Sequence, residues 1–474
     1  MKNSGKTLVM KFGGTSVGSQ IAMNNAVKII HQTRKEWPRV IVVASALSGV
    51  TDILIKSAER ASCGDLIFSS QAAIELHQRH HDMVEAMIPD STRKDRLHNE
   101  IDQLLSEFSN LCQAISVLGE ATPRAYDAVA SIGERLSVRI LSAAIDTPEF
   151  HSHMIESTRL IVTDNHYQNA HPNMKLSAEQ VIEILSPILD NGDIPVVTGF
   201  IAADADGVTT TLGRGGSDFS ASILAVALHA SEVWIWTDVD GVMTADPRLV
   251  PDARTIPTLS FREVAEMAFY GAKVLHPKSI QPVIEAGIAL RVCNTLDPSK
   301  PGTRLVAENG SNNYGSIKAL AAIRGLKLVT LTGTGMLGVP GVAGRIFSAV
   351  ARTGVSIPLI IESTSEQAIC FPVPKECINE VLKALHTHLG DEFRQGDIDR
   401  ATTSDEVDII TVVCPKLRTT PGIAGQIFSC LAAAGINVLG ISIGASDVSA
   451  NLIVSASDTQ AALIELHKLI QIEK

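Results

Sequence analysis

The sequence predicts an α/β fold: a mainly parallel sheet with helices on both faces, followed by a tandem of two small α/β modules. Three observations predict it. Short apolar runs alternate with amphipathic stretches over roughly the first 300 residues, as a sheet built from strand–helix–strand units requires. A segment rich in Pro, Gly, Asn and Ser, LDPSKPGTRLVAENGSNNYGS (296–316), then interrupts the pattern. Beyond it, PGVAGRIFSAVARTGVSI (340–357) and PGIAGQIFSCLAAAGINV (421–438) align without gaps, with nine of eighteen positions identical.

The runs TLVMKF (7–12), RVIVVAS (39–45), IPVVTGFIA (194–202), EVWIWTD (232–238) and ALRVCN (289–294) have the length and apolar content of strands buried on both faces. Between the first two, residues 21–37 place Met23, Ala26 or Val27, and Ile30 at helical spacing. Residues 62–116 are long, charged and helical, an excursion from the sheet domain. Ser260 and Glu263 have the spacing of a capping box ahead of a helix that ends near FYGAKVLHP (269–277). Each copy of the repeat is preceded by a β-rich run (LKLVTLTG, VDIITVVC) and followed by another (PLIIES, LGISIG). Pro340 and Pro421 fall near the first helical turn, where a missing N–H costs nothing. These limits give a sheet domain at 1–305 and modules at 306–400 and 401–474. The modules are either consecutive or nested, and the extra strand-like GSIKALAAI (315–323) leaves room for nesting.

Composition narrows the class. With 45% hydrophobic and 19% charged residues the chain reads as a well-packed globular protein, and with 4% aromatics its core rests on Val, Ile, Leu and Ala. A net charge of −11 argues against general affinity for nucleic acid, although a local cationic pocket remains compatible with it. No apolar run approaches the roughly 18–20 residues of a membrane helix, and nothing resembles a signal peptide, so a cytoplasmic protein without membrane attachment is expected. Seven scattered cysteines without C-x-x-C spacing read as reduced packing residues. HQRHH (77–81) lies in a polar helical stretch and reads as a solvated face rather than a metal site.

Ligands of parallel sheets sit at the carboxyl ends of the strands, and four stretches there carry chemistry. In KFGGTS (11–16), paired glycines allow backbone N–H groups close to an oxyanion and Lys11 adds a fixed charge; the alternative is a tight turn with a surface lysine. GRGGSDFSA (213–221) opens a helix. Arg214 suits a carboxylate, while Asp218 can stay ionised and orient a lysine or a metal-bound water; a capped flexible loop is the alternative. TDVDGVMTADPR (237–248) sets Asp238 and Asp240 where Mg²⁺ and a nucleotide would lie, though Asp-Gly also turns for local reasons. Lys273 follows Gly271 as a second lysine for the same pocket, or as compensation of a helix dipole. Two lysines, two glycine loops, an arginine and several carboxylates, with no Ser–His–Asp triad, fit phosphoryl transfer without a covalent enzyme intermediate.

KFGGTSV, SALSGVTD (45–52), SIGERLS (131–137), GRGGSD, TDVDG…TADPR and YGAKVLHP, in this order, resemble the aspartate kinases of the amino-acid kinase superfamily. The paired C-terminal units resemble that family's regulatory ACT modules, so the resemblance spans nearly the whole chain. It implies a three-layer αβα kinase fold followed by two βαββαβ modules. It also implies ATP-dependent phosphorylation of the L-aspartate side chain to 4-phospho-L-aspartate, the entry step toward lysine, threonine and methionine. Mg²⁺ would come with ATP, with no ligand assigned among the side chains.

By that resemblance Lys11 and Lys273 steady the transferring phosphoryl group, Gly13 and Gly14 donate backbone N–H bonds, and Asp218 organises the lysines. Arg214 binds the aspartate α-carboxylate, Glu134 meets its amino group, and Ser45 and Thr51 help hold it. Thr237, Asp238, Met243 and Arg248 line the ATP side with Lys273 and Val274. Met243 stands where the family often has an aromatic residue, and it can still pack on an adenosine.

The first module keeps its glycines in TGTGMLGVPG (332–341), while the second, VCPKLRTTPG (413–422), has mostly lost them. An effector amino acid, lysine or threonine, is therefore expected at the first module, at Met336, Gly338, Val339, Pro340 and Glu362, where free N–H groups would hold its α-carboxylate. Paired ACT modules imply a homodimer or higher assembly. The sequence stops soon after the second repeat, so no fused homoserine dehydrogenase domain is expected. Two alternatives stand beside this reading: a sister kinase acting on acetylglutamate, glutamate or UMP, and an amino-acid sensor built on an inactive kinase scaffold.

Overall fold

The structure is a computed structural model and describes residues 6–270, 275–307, 316–336, 341–362, 367–443 and 446–470. The chain forms two compact units. One comprises Met1–Val242, Pro257–Phe261 and Leu275–Asn309; the other comprises Met243–Ile256, Arg262–Val274 and Gly310–Lys474. Among the described residues no helix is long and apolar enough to cross a membrane, and all seven cysteines are free.

The strands of the first unit are β1 (Thr7–Phe12), β2 (Arg39–Ala44), β3 (Ser152–Ile155), β4 (Val162–Thr163), β5 (Ile194–Thr198), β6 (Ile201–Asp204), β7 (Thr209–Thr211), β8 (Glu232–Thr237), β9 (Thr258–Ser260), β10 (Ala289–Asn294) and β11 (Thr303–Val306). Eight of them form one sheet in the order β3-β5-β2-β1-β8-β10-β11-β9, and β4-β6-β7 form a small second sheet. Every pairing in the large sheet is parallel except β10 with β11. The five apolar runs all become strands, because burial on both faces selects such runs. In β1 every residue but Lys11 is buried. IPVVTGFIA, however, breaks into β5 and β6 at Gly199–Phe200, where Phe200 takes a positive φ of 65°. A Cβ on Gly199 would stand 2.6 Å from that of Ser217, so the break lets the 217 segment approach the strand ends.

Helices α1 (Gly14–Val17), α2 (Gln20–Glu36), α3 (Val50–Ser62), α4 (Leu66–Met87), α5 (Ser91–Leu118), α6 (Pro123–Ile145), α7 (Met174–Asn191) and α8 (Gly216–Ala227) follow the strands. The helical excursion is the α4–α5 hairpin, with Asp90 capping the start of α5 and Gly119 ending it in the left-handed region at φ 73°. Its Leu76, Val84, Ile101 and Phe108 join the same apolar cluster as Met10 and Val42 of the sheet, so hairpin and sheet share one core. The solvated-face reading of HQRHH needs correction at His80. That side chain is fully buried, its Nδ1 lies 2.6 Å from the Leu76 carbonyl, and burial pushes its pKa down to about 4.

The second unit takes in most of α9 (Phe261–Phe269), while α10 (Pro277–Glu285) returns to the first. Its own elements are β12 (Ala319–Thr332), α11 (Val342–Ala351), β13 (Ile361–Glu362), β14 (Ala368–Pro374), α12 (Ile378–His388), α13 (Gly390–Gln395), β15 (Arg400–Val413), α14 (Ile423–Ala433), β16 (Gly440–Ile443), β17 (Ser449–Ser455) and α15 (Thr459–His467). One antiparallel sheet runs β13-β14-β12-β15-β17-β16. The long β12 and β15 pair along their length, with register shifts near Ile323 and Leu326. Each half of β12 feeds a different core. Leu320, with Ile317 just ahead of the strand, packs with Ile410, Ile427 and Leu452; Val329 and Leu331 pack with Ile346, Phe371 and Val381. The GSIKALAAI stretch thus completes the core of the second repeat although it precedes the first.

The segment after Val242 belongs to this second unit. Ala245 and Val250 sit in the cluster of Leu320 and Ile410. The Leu320 N–H donates to the Thr244 carbonyl (2.7 Å), and the Thr244 hydroxyl lies 2.8 Å from Nε2 of His467. On α9, Glu263 pairs with Lys318 at 2.9 Å, the carboxylate side chain being 1% exposed. Glu266 accepts from Ser449 (2.7 Å), and the Tyr270 hydroxyl accepts from Asn451 (3.1 Å).

Candidate active site

The chain builds outward from β1 through β2 and returns on the other side of β1 as β8, so β1 lies at the reversal of strand order. In an open parallel sheet the crevice at that reversal is where ligands bind. Lys11, next to last in β1, pairs in register with Val43 and Ile235. Its Nζ lies 2.6 Å from Oδ1 of Asp218 in the first turn of α8, and each side chain is 12% exposed. A carboxylate suits a helix start, and here it also fixes the ammonium at the strand end.

The two glycines differ in role. The Gly13 N–H already donates to the Trp236 carbonyl at 3.1 Å, so the expectation that it donates to a ligand does not match this geometry. Its missing side chain instead leaves room beside the ammonium, since a Cβ there would lie 3.6 Å from the Lys11 Nζ. Gly14 opens α1, where a Cβ would stand 2.9 Å from the Ala46 carbonyl oxygen. Ser16 donates to the Trp236 carbonyl (3.1 Å) and accepts from Thr295 (2.7 Å), tying the chain just after β1 to the end of β8 and the residue after β10.

Glu134 of α6 stands opposite the loop after β2. Its Oε1 accepts from the Ala46 N–H at 3.2 Å, while Oε2 is buried without a hydrogen-bond partner among the described residues. Burial pushes this carboxyl up to about 8, against the pull of the Ala46 and Glu134 N–H groups and the Lys11 charge. Ser45 is half-buried, its N–H donating to Phe12 (3.1 Å) and its carbonyl accepting from Ser137 (2.7 Å). Thr51 is the second residue of α3. Gly133 is what lets α6 come this close. A Cβ there would meet that of Ala46 at 2.9 Å, with Leu54 Cδ1 and Val50 Cγ1 at 3.3 Å. Gly133→Ala is expected to cost about 1–3 kcal/mol of stability, as overpacking does, and to displace the Ser45–Thr51 loop; denaturant midpoints measure the first effect.

Arg214 is exposed in the turn before α8, open to a ligand carboxylate. Burial, then the charges of Lys278 and Arg214, hold His276 below its ordinary pKa. A Cβ on Gly215, whose φ is 70°, would lie 2.5 Å from Ser279 Oγ, so only glycine brings this turn against the start of α10. Thr237 closes β8, its hydroxyl donating to the exposed Asp238 (3.2 Å), and Asp240 accepts from Asn294 at 2.6 Å.

Met243 and Arg248 belong to the other unit. The Met243 sulfur accepts from Thr255 at 3.5 Å, and Arg248 is exposed in a two-pronged contact with Asp246. Met336 is buried in the core of the first repeat, and Glu362 is exposed on the edge strand β13. Lys273, Val274, Gly338, Val339 and Pro340 lie outside the described residues.

Sequence reasoning missed Asp127. Buried in α6, it accepts from the Gln168 and Thr211 N–H groups and from the Thr211 hydroxyl (2.7 Å), anchoring the strand that leads to Arg214. A lone acid among apolar helix residues was the available signal. Ser137 and Thr295 carried none.

Residues 6–294 match the model of the amino acid kinase family, and residues 329–389 and 410–469 match an ACT domain. Bifunctional aspartokinase/homoserine dehydrogenase 2, chloroplastic, of Arabidopsis thaliana is 34% identical over 97% of this chain and 50% of that protein, so the chain spans about half the length of such relatives. The structure of E. coli aspartokinase III with aspartate and ADP, in its R-state, superposes with a TM-score of 0.80 at 30% identity, covering 98% of this chain and 99% of that one. The T-state structure of the same enzyme with lysine and aspartate gives 0.78 at 29% identity, covering 98% and 100%.

Proposed function

The chain belongs to the aspartate kinases of the amino acid kinase family, and on that premise we propose that it transfers the γ-phosphoryl group of ATP to the side-chain carboxylate of L-aspartate, giving 4-phospho-L-aspartate and ADP. The observation that carries the reading is the Lys11–Asp218 pair at the strand-order reversal, with Gly13 leaving space beside the ammonium. A phosphoryl group in transfer spreads negative charge over its oxygens, and a preoriented cation stabilises that charge without reorganising. Aspartate needs no general base, since its carboxylate, with a pKa of about 3.9, is already ionised.

Around that centre, Arg214 binds the substrate α-carboxylate and Glu134 its ammonium, with Ser45 just after β2 and Thr51 in the first turn of α3 helping to hold it. Lys273 joins Lys11 on the phosphoryl group. Thr237, Asp238, Met243, Arg248 and Val274 serve the nucleotide. Mg²⁺ would neutralise charge on the ATP phosphates, and the exposed Asp238 at the end of β8 is an oxygen donor of the kind it takes. The product enters lysine, threonine and methionine synthesis. The first ACT repeat binds an amino-acid effector through the 336–340 segment and Glu362, a role supported by the lysine complex of the E. coli enzyme. The assembly is a homodimer or larger.

Aspartate-dependent ADP release in a coupled assay, with the acyl phosphate trapped by hydroxylamine, tests the reaction. Turnover with glutamate or acetylglutamate but not aspartate would overturn it. Adding lysine or threonine to the same assay tests the effector, and insensitivity to both would remove that part.

A further inference from the structure

The α4–α5 hairpin carries a side-chain cluster that this reaction does not use. His77 and His81 are one helical turn apart on α4, and both Nε2 atoms converge on the same oxygen, Oδ1 of Asp102 on α5, at 3.2 and 2.9 Å. The two rings stack with centroids 3.9 Å apart, and the ring of His98 stacks on His81 in turn at 4.0 Å. His98 is itself held by Glu85 at 3.0 Å. No lysine or arginine pairs with Asp102 among the described residues, so two imidazoles alone face its charge.

We propose that His77, His81 and Asp102 form a binding site for a borderline-soft divalent cation of the zinc type, completed by water. The donor atoms all lie within 4.8 Å of one another. Around a tetrahedral zinc with bonds of about 2.0–2.2 Å, neighbouring donors stand roughly 3.3 Å apart, so the observed nitrogen–oxygen separations need only small rotations. Two histidines at i and i+4 present their nitrogens on one helix face, and the facing helix supplies the third ligand. Side-chain exposures of 48% for His77 and 49% for Asp102 leave room for a water ligand. Two imidazole nitrogens and one carboxylate favour zinc, cobalt or nickel over magnesium, which takes oxygen ligands, so the site is chemically distinct from any Mg²⁺ accompanying a nucleotide.

The bound ion ties α4 to α5. The same α4 carries Arg79, whose guanidinium donates to the Ser48 carbonyl at 2.8 Å, so the clip would steady the helix that props the Ser45–Thr51 loop. A cation bound by the folded state alone raises its stability by mass action.

The full-length protein, stripped with chelator and titrated with zinc chloride in a calorimeter, tests the site. One equivalent should bind, and the melting temperature should rise. His81→Ala and Asp102→Asn, assayed separately, should each weaken that binding at least about tenfold and abolish the thermal shift, while Co²⁺ should give visible ligand-field bands only in the unsubstituted protein. Asp102 is exposed and His81 partly so, and the metal-free melting curves of the two variants report their folding. Equal zinc affinity in all three proteins would assign the ion to one of the seven cysteines or elsewhere and overturn the proposal, as would the absence of binding.

Discussion

Lys11→Ala should lower kcat by about 10²–10³-fold, the size of loss seen when one donor to a developing oxyanion is removed. The geometry makes this a test of charge rather than of fold. Lys11 is the one residue of β1 that is not buried, so truncating it removes little apolar packing. What it leaves behind is Asp218, a carboxylate whose side chain is 12% exposed and whose cation has gone. Steady-state kinetics separate two roles. A fall in kcat at a nearly constant KM marks a group acting in the transition state, whereas a change confined to the KM for aspartate would make Lys11 a binding residue. Lys11→Ala/Asp218→Asn should then recover stability but not turnover, because the unpaired charge is gone while the ammonium is still missing.

Glu134→Gln should raise the KM for aspartate on the order of 10²-fold, since losing one partner of a buried ion pair costs roughly 2–5 kcal/mol. Its pH signature is more specific. Without substrate the carboxyl keeps its proton up to about 8, against an ordinary 4.5. Between those values the folded protein holds a proton that the unfolded chain has released, so stability falls as pH rises across that window. Glu134→Gln should flatten this slope, with the largest gain over the unsubstituted protein above pH 8. An ammonium delivered to Oε2, which has no partner among the described residues, favours the ionised form, so aspartate binding near pH 7 should release close to one proton. Calorimetry in buffers of different ionisation enthalpy measures that release, and a proton count near zero would show that the substrate amine does not meet Glu134.

Much of the sheet was legible because burial on both faces leaves continuous apolar runs in TLVMKF, EVWIWT and ALRVCN, which no solvated element would tolerate. IPVVTGFIA misled because its apolar run continues through a backbone break, and the close approach that the break admits, of Ser217 to Gly199, comes from eighteen positions away (217 − 199). The Lys11–Asp218 pair could be anticipated from two glycine loops at strand ends, but its distance could not. Glu134 was visible only within a motif, and nothing in SIGERLS says that its carboxyl sits dry. Asp127 and Ser137 act by holding backbone from afar; Asp127 stood out only as an acid among apolar helix residues, and Ser137 carried no mark at all. Gly13 shows the converse: its motif was plain, but its N–H was committed to Trp236.

Cooperative opening gives the Thr244–Leu320 hydrogen bond a further consequence. Amides exchange with solvent in groups that open together, and membership follows packing rather than position along the chain. Thr244 and Ala245 come one short loop after β8 of the kinase sheet, yet their bonds and apolar neighbours include Leu320, His467 and Ile410. Their deuterium uptake should therefore keep time with the strands of the six-stranded sheet, and an effector that protects that sheet should protect them equally. If 244–255 instead exchanged in step with β8, the segment would belong energetically to the kinase unit. In the language of exchange, a segment that follows the kinase sheet keeps the clock of the six-stranded one.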